Sequence, residues 1–195
     1  MMLLGSMATL NGQAQETLPA KQPSKASHTL SANASPGWIT TKVFTPQGKY
    51  SWRFGMGGEL NYRCLFHSGY GFGLEYAYNQ TGYPVAGSVN ENLKINYAGA
   101  SFVYGGTISS GWIAAVSLGM GYANYAESGE SHSGFGTKTS LSIERQLNKV
   151  LGIGLELGHH VLTFSKQESN DYYDADEYTN GFKRLSVSIG FRIHI

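Results

Sequence analysis

The sequence predicts an all-β fold, an eight-stranded antiparallel up-and-down transmembrane β-barrel, on three observations. Successive segments place apolar and polar residues at alternate positions, and Glu59, Glu75, Glu144 and Glu156 each fall mid-segment on the polar phase. Nowhere is there the run of about 18 apolar residues that a membrane helix needs. An apolar strand face has to meet something greasy and a charged one something wet. No other segment can cover the apolar faces, so both demands are met by a closed cylinder with lipid outside and charge inside. Only helices and closed barrels satisfy every backbone group in lipid, which leaves the barrel.

Residues 1–15 read as the remnant of a secretory signal peptide. Met2-Leu3-Leu4 through Leu10 forms a short apolar core, and Gly12-Gln13-Ala14 offers a small-x-small cleavage site, without a basic region ahead of it. Residues 16–37, rich in Ser, Ala, Lys, Pro and Gln, are expected to form a disordered periplasmic lead-in. The barrel is then expected over residues 38–195.

Trp38 to Phe44 is the only candidate for the eighth strand that an even-numbered barrel requires, with Ile39, Thr41 and Val43 outward and a turn at Pro46-Gln47-Gly48. In Ser51 to Arg63, Trp52, Phe54, Met56, Leu60 and Tyr62 alternate with Arg53, Glu59, Asn61 and Arg63. In Tyr70 to Asn79, Tyr70, Phe72, Leu74 and Tyr76 oppose Gly71, Gly73, Glu75 and Ala77. Leu93 to Tyr104 breaks the rule. Ile95 and Tyr97 lie on one phase and Phe102 and Tyr104 on the other, so a bulge near Gly99 is expected to rephase it.

Trp112 to Tyr125 alternates well, with Trp112, Val116 and Leu118 on the apolar side. Phe135 to Arg145 has a weaker face, Phe135, Leu141 and Ile143 being separated by Thr137 and Thr139. Leu151 to Phe164 follows. Phe182 to Ile195 is the most regular, with Leu185, Val187, Ile189 and Phe191 against Arg184, Ser186, Ser188 and Arg192. The connections alternate between short (65–68, 105–111, 146–150) and long (80–92, 126–134, 165–181), as tight periplasmic turns and extended outer loops would.

The export signal, the Gly-and-aromatic run Tyr70-Gly71-Phe72-Gly73-Leu74-Glu75-Tyr76 and the ending Gly190-Phe191-Arg192-Ile193-His194-Ile195 resemble the small outer-membrane β-barrel proteins of Gram-negative bacteria, of the Bacteroidetes type. The likeness covers roughly Trp38 to Ile195. It implies residence in the outer membrane, outer-membrane lipid as a partner and insertion by the barrel assembly machinery. The chain departs from the family in ending on Ile195 where an aromatic is usual, with Phe191 on the same face.

An eight-stranded barrel is just wide enough for side chains to fill it. The inward set is Arg53, Glu59, Arg63, Glu75, Lys138, Glu144, Glu156, Arg184 and Arg192. Buried ions must pair, so these residues are expected to form one charge network that plugs the lumen. Acid–base catalysis is the alternative for the glutamates, but it needs substrate access that a packed lumen denies.

Fourteen Lys and Arg against 13 Asp and Glu give no electrostatic case for nucleic acid. The single cysteine, Cys64, excludes an intrachain disulfide. His159 and His160 point to opposite faces and cannot share a metal ion. His132-Ser133 and Ser165 are pieces a lipid-modifying enzyme could use. The acids of Ser165 to Gly181 lack the spacing of an EF-hand loop, and no metal or cofactor is expected. Tyr172, Tyr173 and Tyr178 in that loop supply amphipathic area for a protein or glycan ligand.

The reading is a non-enzymatic outer-membrane barrel with a role in envelope structure, adhesion or surface recognition. Its alternatives are an outer-membrane lipid-modifying enzyme and a soluble exported β-barrel binding an apolar ligand.

Overall fold

A computed structural model describes residues 26–41, 43–45, 48–50, 53–85, 88–127, 130–164 and 181–195. It is a closed antiparallel barrel of eight strands. Strand β1 runs in two stretches, Ser27–Ala34 and Gly37–Ile39, followed by β2 (Arg53–Leu65), β3 (Tyr70–Val85), β4 (Ser88–Ser109), β5 (Trp112–Glu127), β6 (Glu130–Gln146), β7 (Leu151–Phe164) and β8 (Gly181–His194). Each strand pairs with its sequence neighbours, and β1 lies between β2 and β8 to close the sheet.

The identity of the closing strand corrects the sequence reading. Residues Ser27 onward are not a disordered lead-in, because Ser27 pairs with Leu65 and Thr29 with His194. Nor is the eighth strand Trp38 to Phe44: β1 ends at Ile39, and Val43–Thr45 forms a separate short ribbon with Gly48–Tyr50. Ile39, expected outward, is buried inside. Its inward direction follows from the register, since Ser31, Asn33, Ser35, Gly37 and Ile39 share one phase through Ala34↔Ile189 and Gly37↔Ser186 with no shift. Pro36 lacks an amide hydrogen and interrupts the ladder for two residues without rephasing it.

Strand β4 brings the second correction. Its pairing with β3 runs unbroken from Tyr70↔Tyr104 to Tyr83↔Glu91, so there is no bulge at Gly99. Leu93, Ile95 and Tyr97 point inward, while Phe102 and Tyr104 point outward on a single continuous phase. The apolar residues in the first half of the strand belong to the interior.

Two connections expected as long loops are largely ladder instead. β3 and β4 remain paired out to Val85↔Ser88, and β5 and β6 out to Glu127↔Glu130, as hairpin extensions beyond the apolar belt. The short turns sit at the opposite end. Gly69 (φ 82°) and Gly111 (φ 74°) supply the left-handed residues that two of them require. The third is held by Asn148, whose side-chain oxygen accepts from the amides of Val150 and Leu151, both at 2.8 Å.

Following cross-strand partners once around the barrel from Trp112, through Arg145, Ile153, Phe191, Ala32, Leu60, Tyr76 and Ala98, returns to β5 at Tyr122. From residue 112 to residue 122 is a stagger of ten positions, which tilts eight strands by roughly 40°. Trp112 to Tyr122 then covers about 33 Å of strand and roughly 25 Å along the barrel axis, the height of a lipid-facing belt.

Candidate functional site: an ionic interior inside an apolar wall

The outer wall of that belt is apolar. Phe54, Tyr70, Phe72, Leu74, Tyr76, Trp112, Leu118, Leu185, Val187, Ile189 and Phe191 all point out, Leu118 being 58% and Phe191 66% exposed. Trp52 lies outside the described residues. Tyr70, Tyr104 and Trp112 ring the short-turn end, and Tyr76 and Tyr122 mark the other, their hydroxyls bonded to Asn96 (3.0 Å) and Ser133 (2.5 Å). Such aromatic girdles bracket a hydrocarbon layer. A soluble barrel would have these two faces exchanged.

Inside, Lys138 of β6 is the hub. Its Nζ lies 2.9 Å from Glu59, 2.9 Å from Glu156 and 3.6 Å from Glu75, so carboxylates from β2, β7 and β3 converge on one ammonium that is 1% exposed. The glutamates have further partners. Arg63 Nη2 donates to Glu156 Oε2 at 2.6 Å and its Nη1 to Ser142 at 2.7 Å. Arg192 approaches Glu156 at 3.9 Å and donates to the Asn33 side chain; Arg184 lies 3.8 Å from Glu59. Glu144 pairs with His194 nearer the short turns. Arg53 is buried farther along β2, opposite Ile39 in register. The pairings of Lys138, Arg63, Arg184 and Arg192 with Glu59, Glu75 and Glu156 offset the desolvation of those ions in a confined space.

Residues that sequence reasoning missed complete the network, and they come from β1. Ser35 Oγ donates to Glu59 Oε1 at 2.6 Å, and the Ser35 carbonyl accepts from Arg184 at 2.8 Å. A signal was present: Leu30, Ala32 and Ala34 alternate with Ser31, Asn33 and Ser35, a period of two written in small residues.

Glycines make the room. A Cβ at Gly154 would stand 2.9 Å from the Arg192 guanidinium, and one at Gly136 would stand 2.9 Å from the Tyr97 ring. These positions lie beside two of the largest interior side chains, where the missing Cβ leaves room for a guanidinium or a tyrosine ring.

Toward the far end the interior turns apolar. Ile39, Ala77, Leu93, Ile95, Tyr97, Ala123, Leu162 and Phe164 form one cluster, with Tyr125 and Phe182 packed against it. Phe164 and Phe182 each meet Tyr125 edge-on, at 4.6 and 5.2 Å. The interior is therefore layered: most ions toward the short turns, then a boundary where His160 meets Tyr97 edge-on at 5.6 Å, then an aromatic layer with Arg53 buried beside it at Ile39.

The other candidates do not assemble. His132 stacks on Tyr125 at 4.8 Å while Ser133 bonds Tyr122 on the opposite face of β6, so the pair forms no Ser–His dyad; Ser165 lies outside the described residues, as do Tyr172, Tyr173 and Tyr178. His160 is buried inside and His159 exposed outside. Cys64 is buried, in register opposite His28, whose ring bonds the Tyr62 hydroxyl at 2.7 Å. Among the described residues no group of three metal-ligating side chains converges.

No protein-family model and no curated protein sequence matches the chain. Solved structures with similar folds do exist. Neisserial surface protein A matches with a TM-score of 0.63 at 12% identity, over 86% of this chain and 97% of that one. The outer membrane protein OprG of Pseudomonas aeruginosa matches with a TM-score of 0.53 at 12% identity, over 88% and 96%. Ail, the attachment invasion locus protein of Yersinia pestis, solved in complex with the heparin analogue sucrose octasulfate, matches with a TM-score of 0.50 at 14% identity, over 86% and 99%. At these identities the likeness is one of fold: this chain has the architecture of small outer-membrane barrels.

Proposed function

We propose that this protein is an integral outer-membrane β-barrel of a Gram-negative bacterium, non-enzymatic, whose lumen is closed by its own side chains and whose long-connection end serves surface recognition or adhesion. The observation that carries this reading is the inversion of the wall. Phe72, Leu118, Val187 and Phe191 are exposed around the belt, while Glu75 and Glu156 are buried on Lys138. Leaving so much apolar surface in water would be unfavourable by about 25 cal/mol per Å², and lipid removes that cost.

Two packed layers in series support a plugged lumen. The ion pairs of Lys138, Arg63, Arg184 and Arg192 span the barrel at one level, and the cluster from Ile39 to Phe164 fills the next. An envelope anchor with a recognition surface fits such an interior better than a diffusion channel does. Ail was solved with the heparin analogue sucrose octasulfate, and by analogy the ligand sought here is a glycan or protein contacted through Tyr172, Tyr173 and Tyr178. Membrane lipid and the barrel assembly machinery are the partners that go with this reading.

Fractionation tests the placement. The protein should remain in the membrane pellet through urea or carbonate washing, and after refolding it should migrate faster unheated than boiled. Quantitative release by the wash would overturn the reading.

A further inference from the structure

Among the described side chains, the interior holds charges of both signs and the outer wall holds only cations. Among the described side chains, the carboxylates Glu59, Glu75, Glu144 and Glu156 are all inside, while the charged residues on the outer wall are cations: Arg145 near the short turns, Lys94 and Lys183 toward the other end. No described acid faces the membrane.

One part of the wall is also unlike the rest. Where β2, β3 and β5 carry Met56, Tyr76, Met120 and Tyr122 in the outer part of the belt, and β4 ends in Asn96 and Lys94, β6 and β7 present Thr137, Thr139 and His159. Thr139 and His159 are direct cross-strand partners, in register with Leu118 on one side and Leu185 on the other, so the imidazole stands exposed among lipid-facing residues. A row above, Thr137 pairs with Val161 and Val161 with Lys183. Diagonal neighbours of this kind lie about 7–8 Å apart, within reach of a lysine and an imidazole converging on one group. The Lys183 backbone is fixed from β1 and the residues after it: its amide donates to Thr41 Oγ1 at 2.6 Å, and its carbonyl accepts from the Thr40 amide at 2.8 Å. The ammonium is left exposed on a rigid base.

An ionisable ring on the lipid face is unfavourable unless something polar meets it. A second copy of the chain is a poor occupant, since a two-fold contact would set Lys183 near its own equivalent with no described acid on the face to balance it. An anion fits. We propose that the outer wall of β6 to β8 seats the phosphate of a lipid of the outer leaflet, with Lys183 and His159 as its cationic and N–H donors and the Thr137 and Thr139 hydroxyls completing the shell. This rests on the outer-membrane reading above and adds the lipid class that the wall selects.

The test is native mass spectrometry of the refolded full chain released from phosphatidylcholine vesicles doped with either lipid A or enzymatically dephosphorylated lipid A. Heat-modifiable migration first establishes that each variant is an inserted barrel, so a failure of the membrane reading shows there and not in lipid retention. The wild type should retain the phosphorylated form about tenfold over the dephosphorylated one. The double variant His159→Leu, Lys183→Gln should lose that preference, while Lys94→Gln should keep it. Equal retention of the two lipids by the wild type, a preference that survives the double variant, or one that depends on Lys94 instead would each overturn the proposal. Concentration-dependent dimers abolished by the same double variant would overturn it in favour of a second copy.

Discussion

Lys138 shows how much one interior residue can hold. Three carboxylates face its ammonium within 3.6 Å, and none of them is solvated. Replacing it with Met leaves that cluster of negative charge with only the arginines, so Lys138→Met should lower the urea unfolding free energy of the refolded barrel by about 3–5 kcal/mol. A drop under about 1 kcal/mol would mean the glutamates are not charged as a set. The glycines give a second, steric test. Gly154 backs onto the Arg192 guanidinium, whereas a Cβ at Gly106 meets nothing within 4 Å. Gly154→Ala should therefore cost about 1–3 kcal/mol through overpacking. Gly106→Ala should leave the urea midpoint at or above that of the wild type, because an alanine there only restricts the unfolded chain.

At the scale of elements, β1 has the most to teach. It closes the sheet, yet between Leu30 and Trp38 its outward residues Ala32, Ala34 and Pro36 are small, and its inward Ser31, Asn33 and Ser35 carry no charge. Read one residue at a time, such a stretch has the composition of a disordered tail. Its strand character comes from two neighbours that are remote in sequence, β8 and β2. Ala34 stands between Ile189 and Gly58 on the lipid face, so Ala34→Lys should destabilise the refolded barrel by roughly 2–4 kcal/mol, a cost that a free lead-in would not show. Strand β4 carries the complementary lesson. Leu93, Ile95 and Tyr97 look lipid-facing in isolation, but the unbroken register turns them inward, where Leu162, Phe164 and Ala123 receive them. Apolar residues suit the inside of a barrel wherever its cross-section is already full.

On the scale of the whole molecule, a charged layer and an aromatic layer stand in series along one axis. Reconstituted into planar bilayers, the wild type should show no steady ohmic conductance. Lys138→Met should admit at most a small cation-preferring current, since the three carboxylates left behind attract cations and repel anions. A steady, unselective current through the wild type would refute the plugged lumen. How much of this was legible beforehand depends on the range of the interactions. The alternating strands from β2 onward, the phase of β4 excepted, and the opposition of residues such as Phe72 to charges such as Glu75 were legible in the sequence, because a two-residue period is a local property that side-chain polarity prints directly onto the chain. The closing strand, the meeting of three glutamates on one lysine and the division of the interior into ionic and apolar layers were decided by the tertiary structure. Each depends on which residues of different strands share a level, and level is set by the ten-residue stagger that exists only once the sheet has closed.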